Sequence, residues 1–264
     1  MEILNKQTDV EAFFNALKTA PARALLLDYD GTLAPFRKNR GEAVPFDGVE
    51  SIINDIMETG LCRVVLVSGR WTRDLLRLLK LKHKPEVWGS HGWERLMPDG
   101  TVYCEEIPGN ALQALAYVES WLRKEGLYTL CEKKPASLAV HWRGLDERDA
   151  DCINSKLRKQ WPLVPRNTAV CLTEFDGGIE IRVPGKNKGD AVATVLSELD
   201  TDCAVAYLGD DTTDEDAFKE LAHKGLRVLV REHIRPTHAD VWLTPPGELL
   251  SFLQNWLAVC RSAR

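Results

Sequence analysis

A chain of 264 residues, 44% apolar and 28% charged, has the composition of a soluble globular protein, which excludes a disordered, collagen-like or coiled-coil chain. Its length buries a core without a disulfide or metal staple and, at roughly 150 residues per domain, predicts between one and two domains. Thirty-four Lys plus Arg against 39 Asp plus Glu leave a net charge of -5, so bulk attraction to nucleic acid or anionic lipid is excluded, and no apolar run approaches the about 18 residues of a membrane span.

The N-terminal stretch, MEILNKQTDVEAFF, has no apolar h-region, so no secretory signal and a cytoplasmic location are expected. Thr8-x-x-Glu11 reads as a capping box, and Val10, Phe13, Phe14 and Leu17 form one helical face that ends at Pro21. Short apolar runs then finish in Asp, Ser or Gly: Ala24–Asp28, Arg63–Ser68, Glu86–Ser90, Cys203–Asp210 and Leu226–Val230. They are nearly continuous rather than alternating, which predicts strands covered on both faces, as in a parallel sheet. Helical patterns at Leu75, Leu76, Leu78 and Leu79 and at Val192, Val195, Leu196 and Leu199 lie between them. The alternation predicts a doubly wound α/β domain with its ligand at the carboxyl ends of the strands.

The middle of the chain has another grammar. Ala111, Leu115, Val118 and Leu122 predict one helix; Ala150, Ile153 and Leu157 predict a second. Ser137–Arg143 alternates, and Ala169–Phe175, Asp176-Gly177 and Gly178–Val183 read as a hairpin. These elements predict a small α+β unit over 108–184, inserted between core segments 1–107 and 185–264. Period two puts Leu138, Val140 and Trp142 on one face and Ser137, His141 and Arg143 on the other, with Glu180 and Arg182 opposite Ile179, Ile181 and Val183. The polar face suits hydroxyl binding; an ordinary solvated sheet face accounts for it as well. Pro135 interrupts the pattern around Glu132 and Lys134. Seven cysteines, an odd number with no C-x-x-C pair, suggest neither a disulfide framework nor a zinc site.

Four polar motifs close these elements. Asp28-x-Asp30-Gly31-Thr32 sets two carboxylates at a strand end, costly there unless something pairs them. Ser68-Gly69-Arg70 offers a hydroxyl, a free backbone and a guanidinium to a phosphate oxygen, although a plain strand-to-helix turn fits it equally. Lys188 stands at a helix start, where an anion is favoured. Asp210, Asp211, Asp214, Glu215 and Asp216 repel one another and invite a hard cation, without the spacing of an EF-hand loop.

In this order the four motifs resemble those of the haloacid dehalogenase superfamily. With Gly89-Ser90-His91-Gly92, Glu132–Arg143 (EKKPASLAVHWR), Glu180-Ile181-Arg182, Asn187-Lys188-Gly189 and GDDTTDEDAF, the chain from Leu25 to Phe218 resembles the trehalose-6-phosphate phosphatase family. The resemblance implies a haloacid dehalogenase-like α/β core with an inserted α+β cap. It implies a Mg²⁺-dependent phosphatase acting through an aspartyl-phosphate on Asp28, with Asp30 as acid and base. Lys188, Ser68 and Gly69 would hold the phosphate, and Asp28, Asp30, Asp210, Asp211 and Asp214 would serve the metal. Arg70, His91, Gly92, Glu132, Lys134, His141, Arg143 and Glu180 are the candidates for substrate contact. Other phosphorylated glycosides (sucrose phosphate, glucosylglycerol phosphate, a pseudo-disaccharide phosphate) are the alternative substrates. A phosphomutase on the same core, or a silent sugar-phosphate sensor, is the alternative function. The expected partner is a small sugar phosphate, with no nucleic acid and no membrane. A monomer is expected, linked in function to a separate trehalose-6-phosphate synthase.

Overall fold

The structure is a computed structural model that describes residues 1–37, 39–160, 170–175, 177–199 and 202–263. It divides into two compact units, Met1–Tyr103 with Asn187–Arg264, and Cys104–Lys186.

The first unit begins with β1 (Glu2–Ile3), α1 (Val10–Thr19), β2 (Ala22–Leu27), α2 (Val49–Glu58), β3 (Arg63–Val67), α3 (Thr72–Leu78), β4 (Glu86–Gly89), β5 (Glu94–Leu96) and β6 (Val102–Cys104), whose last residue opens the second unit. The second unit continues with α4 (Gly109–Lys124), β7 (Cys131–Lys134), β8 (Ser137–His141), α5 (Glu147–Gln160), β9 (Cys171–Phe175) and β10 (Gly178–Arg182). The chain then returns to the first unit through α6 (Lys188–Ser197), β11 (Cys203–Gly209), α7 (Glu215–Glu220), β12 (Leu226–Val230), β13 (Val241–Leu243) and α8 (Gly247–Ser262).

Among the described residues the large sheet has nine strands in the order β1-β13-β12-β11-β2-β3-β4-β5-β6. From β13 to β4 every pairing is parallel; β1 pairs antiparallel with β13 at one edge, and β5 pairs antiparallel with β4. The continuous apolar runs are buried on both faces, which is the doubly wound sheet the sequence predicts. Leu25, Leu27, Val64, Leu66 and Leu208 pack with α1, α2 and α8 on one face. Ala24, Leu26, Val65, Val67 and Tyr207 pack with α6 and α7 on the other. One sequence reading is corrected: α1 is capped by Asp9, whose carboxylate accepts from Ala12 N at 2.9 Å, and not by Thr8.

In the second unit the small sheet has the order β7-β8-β10-β9 and is antiparallel throughout. Glu132 and Lys134, which Pro135 hid from pattern reading, lie on strand β7, opposite Ala139 and Ser137. The strand expected over Ser137–Arg143 ends at His141. Of the expected hairpin, Ala169 and Asp176 lie outside the described residues, while Gly178 pairs with Phe175.

Candidate active site

The site is built where the parallel strands end. β2 delivers Asp28 into the core, 2% exposed, and its backbone N–H donates to Leu208 O of β11 at 2.9 Å. Gly31 follows in the left-handed region at φ 85°, where a Cβ would lie 2.1 Å from Asp210 Oδ2, so both the backbone turn and the space require glycine. Lys188 starts α6 behind the cap Asn187, which together with Asp190 forms a capping box.

The Lys188 ammonium, 4% exposed, donates to Asp28 Oδ1 at 2.6 Å and to Asp214 Oδ1 at 2.7 Å. Thr32 Oγ1 donates to the other Asp28 oxygen at 3.1 Å. Asp214 also accepts from Tyr207 OH at 2.6 Å and from the amides of Asp210 and Asp211 at 3.1 and 2.9 Å. Asp211 turns elsewhere: its carboxylate accepts from Thr212 N and caps a short 3-10 turn.

Carboxylate oxygens of Asp28, Asp210 and Asp214 all lie within 4.8 Å of one another, and all three residues are buried. Burial pushes Asp28 up to about 7, with the Asp214 charge adding to it and the Lys188 ammonium opposing it. Burial, then repulsion from Asp28 and Asp214, pushes Asp210 well above the usual carboxylate range. For Lys188 burial favours the neutral amine, but Asp214 and Asp28 outweigh it and the group is held charged. Three close carboxylates beside a single ammonium lack positive charge. The donor set is all oxygen, and it fits a small hard divalent cation.

Asp30 has different company. Arg70, itself buried, forks onto it with Nε to Oδ2 and Nη2 to Oδ1, both at 2.6 Å, and its third arm donates to Arg40 O at 2.9 Å. Ser68 is 1% exposed and its hydroxyl accepts from Arg70 N at 3.1 Å. The His91 ring lies against Gly69, where a Cβ would meet it at 2.5 Å. Ser90, His91 and Gly92 are all left-handed, at φ 52, 58 and 98°. Buried Glu94 spans the two loops: it accepts from Trp71 Nε1 at 2.6 Å, from Ser90 Oγ at 3.2 Å and from Thr72 N at 3.3 Å.

The second unit holds its own polar cluster. Lys134 and Glu180, 5% and 4% exposed, pair at 2.5 Å, and Ser137 Oγ donates to the same Glu180 oxygen at 2.7 Å. Glu132 and His141 pair at 3.0 Å, and the His141 ring packs on Phe175. Arg143 lies beside Gly177 in the β9–β10 connection.

The sequence profile of the trehalose-phosphatase family matches residues 26–241. The chain belongs to that family. Over 301 residues it is 30% identical to a probable trehalose-phosphate phosphatase 9 of Oryza sativa subsp. japonica, with 99% of this chain and 77% of the relative covered. It is 28% identical over 249 residues to a trehalose-phosphate phosphatase of Mycobacterium marinum, where 89% of this chain spans 61% of the relative's length. Among solved structures, the C-terminal domain of the C. albicans trehalose-6-phosphate phosphatase superposes with a TM-score of 0.79 at 20% identity, covering 98% of this chain and 99% of that one. The fold is that of the haloacid dehalogenase superfamily.

Some residues that bond to the motif side chains lie outside the sequence-predicted site set. Thr32 and Tyr207 bond directly to Asp28 and Asp214, and each carried a signal, the first beside D-x-D-G and the second as the polar atom of an apolar strand. Arg182, also on the polar face of the small sheet, has a buried Nε without an acceptor among the described residues. Arg231 and Arg235, on the loop after β12, donate to main-chain oxygens of the Asp210–Asp211 segment and carried no sequence signal. No helix among the described residues is long and apolar enough to cross a membrane.

Proposed function

We propose that the protein is a Mg²⁺-dependent phosphatase that hydrolyses trehalose 6-phosphate to trehalose and phosphate. The observation that carries this reading is the buried Asp28–Lys188–Asp214 chain beside Asp210, in a member of the trehalose-phosphatase family.

In the first step an Asp28 oxygen attacks phosphorus in line, and the bond from phosphorus to the sugar O6 breaks. The departing alkoxide needs a proton, and Asp30 supplies it. This role requires Asp30 to exchange its Arg70 fork for the leaving oxygen. In the second step Asp30 takes a proton from water as the water oxygen bonds to phosphorus and the bond to Asp28 breaks. Phosphate leaves, Asp28 is again a carboxylate and Asp30 is again protonated, so the net change is one water consumed. Lys188 stays charged throughout and balances the phosphate, while Asp214, itself bonded by the Tyr207 hydroxyl, holds it in place. The Ser68 hydroxyl and the Gly69 amide take a phosphate oxygen. When bound, Mg²⁺ would be held by Asp28, the Asp30 carbonyl and Asp210, with Asp214 and Asp211 orienting the ligands around it, and would offset the charge of the transferring phosphoryl group.

We assign the second unit, bounded near 108–184, to a cap that excludes water and reads the distal glucose ring. His91, Gly92, Glu132, Lys134, His141, Arg143 and Glu180 supply donors and acceptors suited to vicinal hydroxyls. In the small sheet Lys134 pairs with Glu180 and Glu132 with His141, which keeps these four ordered before the sugar arrives.

Asp28→Asn removes the nucleophile and leaves a side chain of the same shape. Phosphate release from trehalose 6-phosphate is expected to fall at least about a thousandfold, with the fold retained by circular dichroism. Turnover near the wild-type rate would exclude Asp28 as the attacking group.

A further inference from the structure

The segment from Gly209 to Asp214 carries two of the three clustered carboxylates, and the backbone of Asp210 and Asp211 is held on both its amide and its carbonyl side. Its amides at Asp210 and Asp211 are spent on Asp214 Oδ2. Its carbonyls point to arginine. Arg235 donates from Nε to Asp210 O at 3.1 Å and from Nη2 to Asp211 O at 2.6 Å, and Arg231 adds a bond from Nη1 to Asp210 O at 3.3 Å. The remaining arm of Arg235 pairs with Glu215 and with Pro236 O. Glu215 is anchored in turn by Thr237 Oγ1, by His238 N and by His238 Nδ1, each at 2.8 Å. One guanidinium, 13% exposed, therefore joins the acidic loop, the start of α7 and the loop after β12.

Two physical consequences follow. A planar, permanently charged fork fixes several acceptors at once, which a lysine point charge cannot do. Groups that hold ligand-bearing segments in this way govern metal affinity through geometry, and their loss costs about 10- to 100-fold.

We infer that Arg235 is a positioning residue for divalent-cation binding: by carrying the carbonyls of Asp210 and Asp211 it fixes the loop that presents Asp210 and Asp214, and so sets the Mg²⁺ affinity. The inference rests on the proposed Mg²⁺ site, with Asp28, the Asp30 carbonyl and Asp210 as ligands and Asp214 orienting them.

The test is Mg²⁺ titration of the full chain by calorimetry, supported by Mn²⁺ electron paramagnetic resonance, for wild type, R235K, R235M and the control R227M. Arg227 forks onto Asp240 at the start of β12, so its loss costs stability without touching the acidic loop. Melting in EDTA gives the stability of each variant. R235M is expected to weaken Mg²⁺ binding about 10- to 100-fold. R235K falls between it and wild type, and R227M lowers the melting temperature while leaving the Mg²⁺ Kd unchanged. If R235M does not fold, R235K is judged against R227M alone. Wild-type affinity in the Arg235 variants overturns the inference, and so does an equal loss of affinity in R227M. A wild-type protein that binds no Mg²⁺ overturns the proposed metal site itself, and the inference with it.

Discussion

Asp28 and Asp30 are neighbours on one strand end in opposite surroundings. The first is buried against an ammonium and two further carboxylates, and the second is held in an arginine fork. The roles proposed for them, nucleophile and proton donor, draw on that difference. Asp30→Asn keeps the shape and removes the proton. Turnover of trehalose 6-phosphate, whose alkoxide leaving group needs protonation, is expected to drop about 10²- to 10⁴-fold. Turnover of p-nitrophenyl phosphate, whose phenolate leaves without help, should drop far less in the first step. Equal losses on both substrates in the first step, measured as release of the alcohol in a single turnover, would remove Asp30 from protonation of the leaving group. At this scale the sequence was informative wherever a motif has fixed spacing. D-x-D-G-T, Lys188 and the 210–216 acids could be picked out because so many unpaired charges beside apolar strands need a reason. Arg235 could not, since it reaches the site through the backbone of another loop, and one arginine in a polar segment leaves no trace in a pattern. Glu94 was invisible for a related reason: a lone acid after Gly-Trp reads as surface, and only the fold turns it inward, at 4% exposed.

At the scale of elements the buried parallel strands were the most legible, because double-sided burial writes continuous apolar runs into the sequence. The edges were not. β1 has two residues and β13 three, too few for any period to register. α8 is a different case: Leu249, Phe252, Leu253, Trp256, Leu257 and Cys260 form a helical stripe that the strand–helix reading left unassigned, and all are buried. β7 was hidden by Pro135, which falls in the turn after the strand rather than in it. An ion-pair network joins β3, β4, β5 and the C-cap of α6 and holds these elements together. Arg63 and Arg95 each bridge Glu86 and Glu198. Hydrogen bonds from Arg95, then from Arg63, outweigh partial burial and bring Glu198 down to about 2, below the roughly 4.3 of an unfolded glutamate. A depressed carboxylate stabilises the fold above its unfolded value and loses that contribution as pH falls through its folded one. Glu198→Gln should therefore lower the melting temperature at pH 6 and narrow the gap from wild type between about pH 4.3 and 2. A constant gap across that range would show that the charge on Glu198 carries no stability.

For the whole molecule, the chain leaves its core after Tyr103 and returns at Asn187, so one core is assembled from both ends around an inserted unit. That plan was readable as a change of grammar, from continuous apolar runs to alternation and back. In the proposed function the core residues would carry the phosphoryl chemistry, and Glu132, Lys134, His141 and Glu180 of the small sheet would meet the sugar hydroxyls. The proposal gives substrate choice to the second unit, so the decisive comparison is between substrates that share a phosphate and differ in the distal sugar. That comparison is phosphate release by the purified chain with Mg²⁺, measured as kcat/KM on trehalose 6-phosphate, sucrose 6-phosphate and glucose 6-phosphate, each repeated in EDTA. A site that matches the second ring with buried hydrogen bonds should favour trehalose 6-phosphate over glucose 6-phosphate on the order of a hundredfold or more, and EDTA should abolish release. Equal rates on the three sugars, or undiminished release in EDTA, would contradict the account.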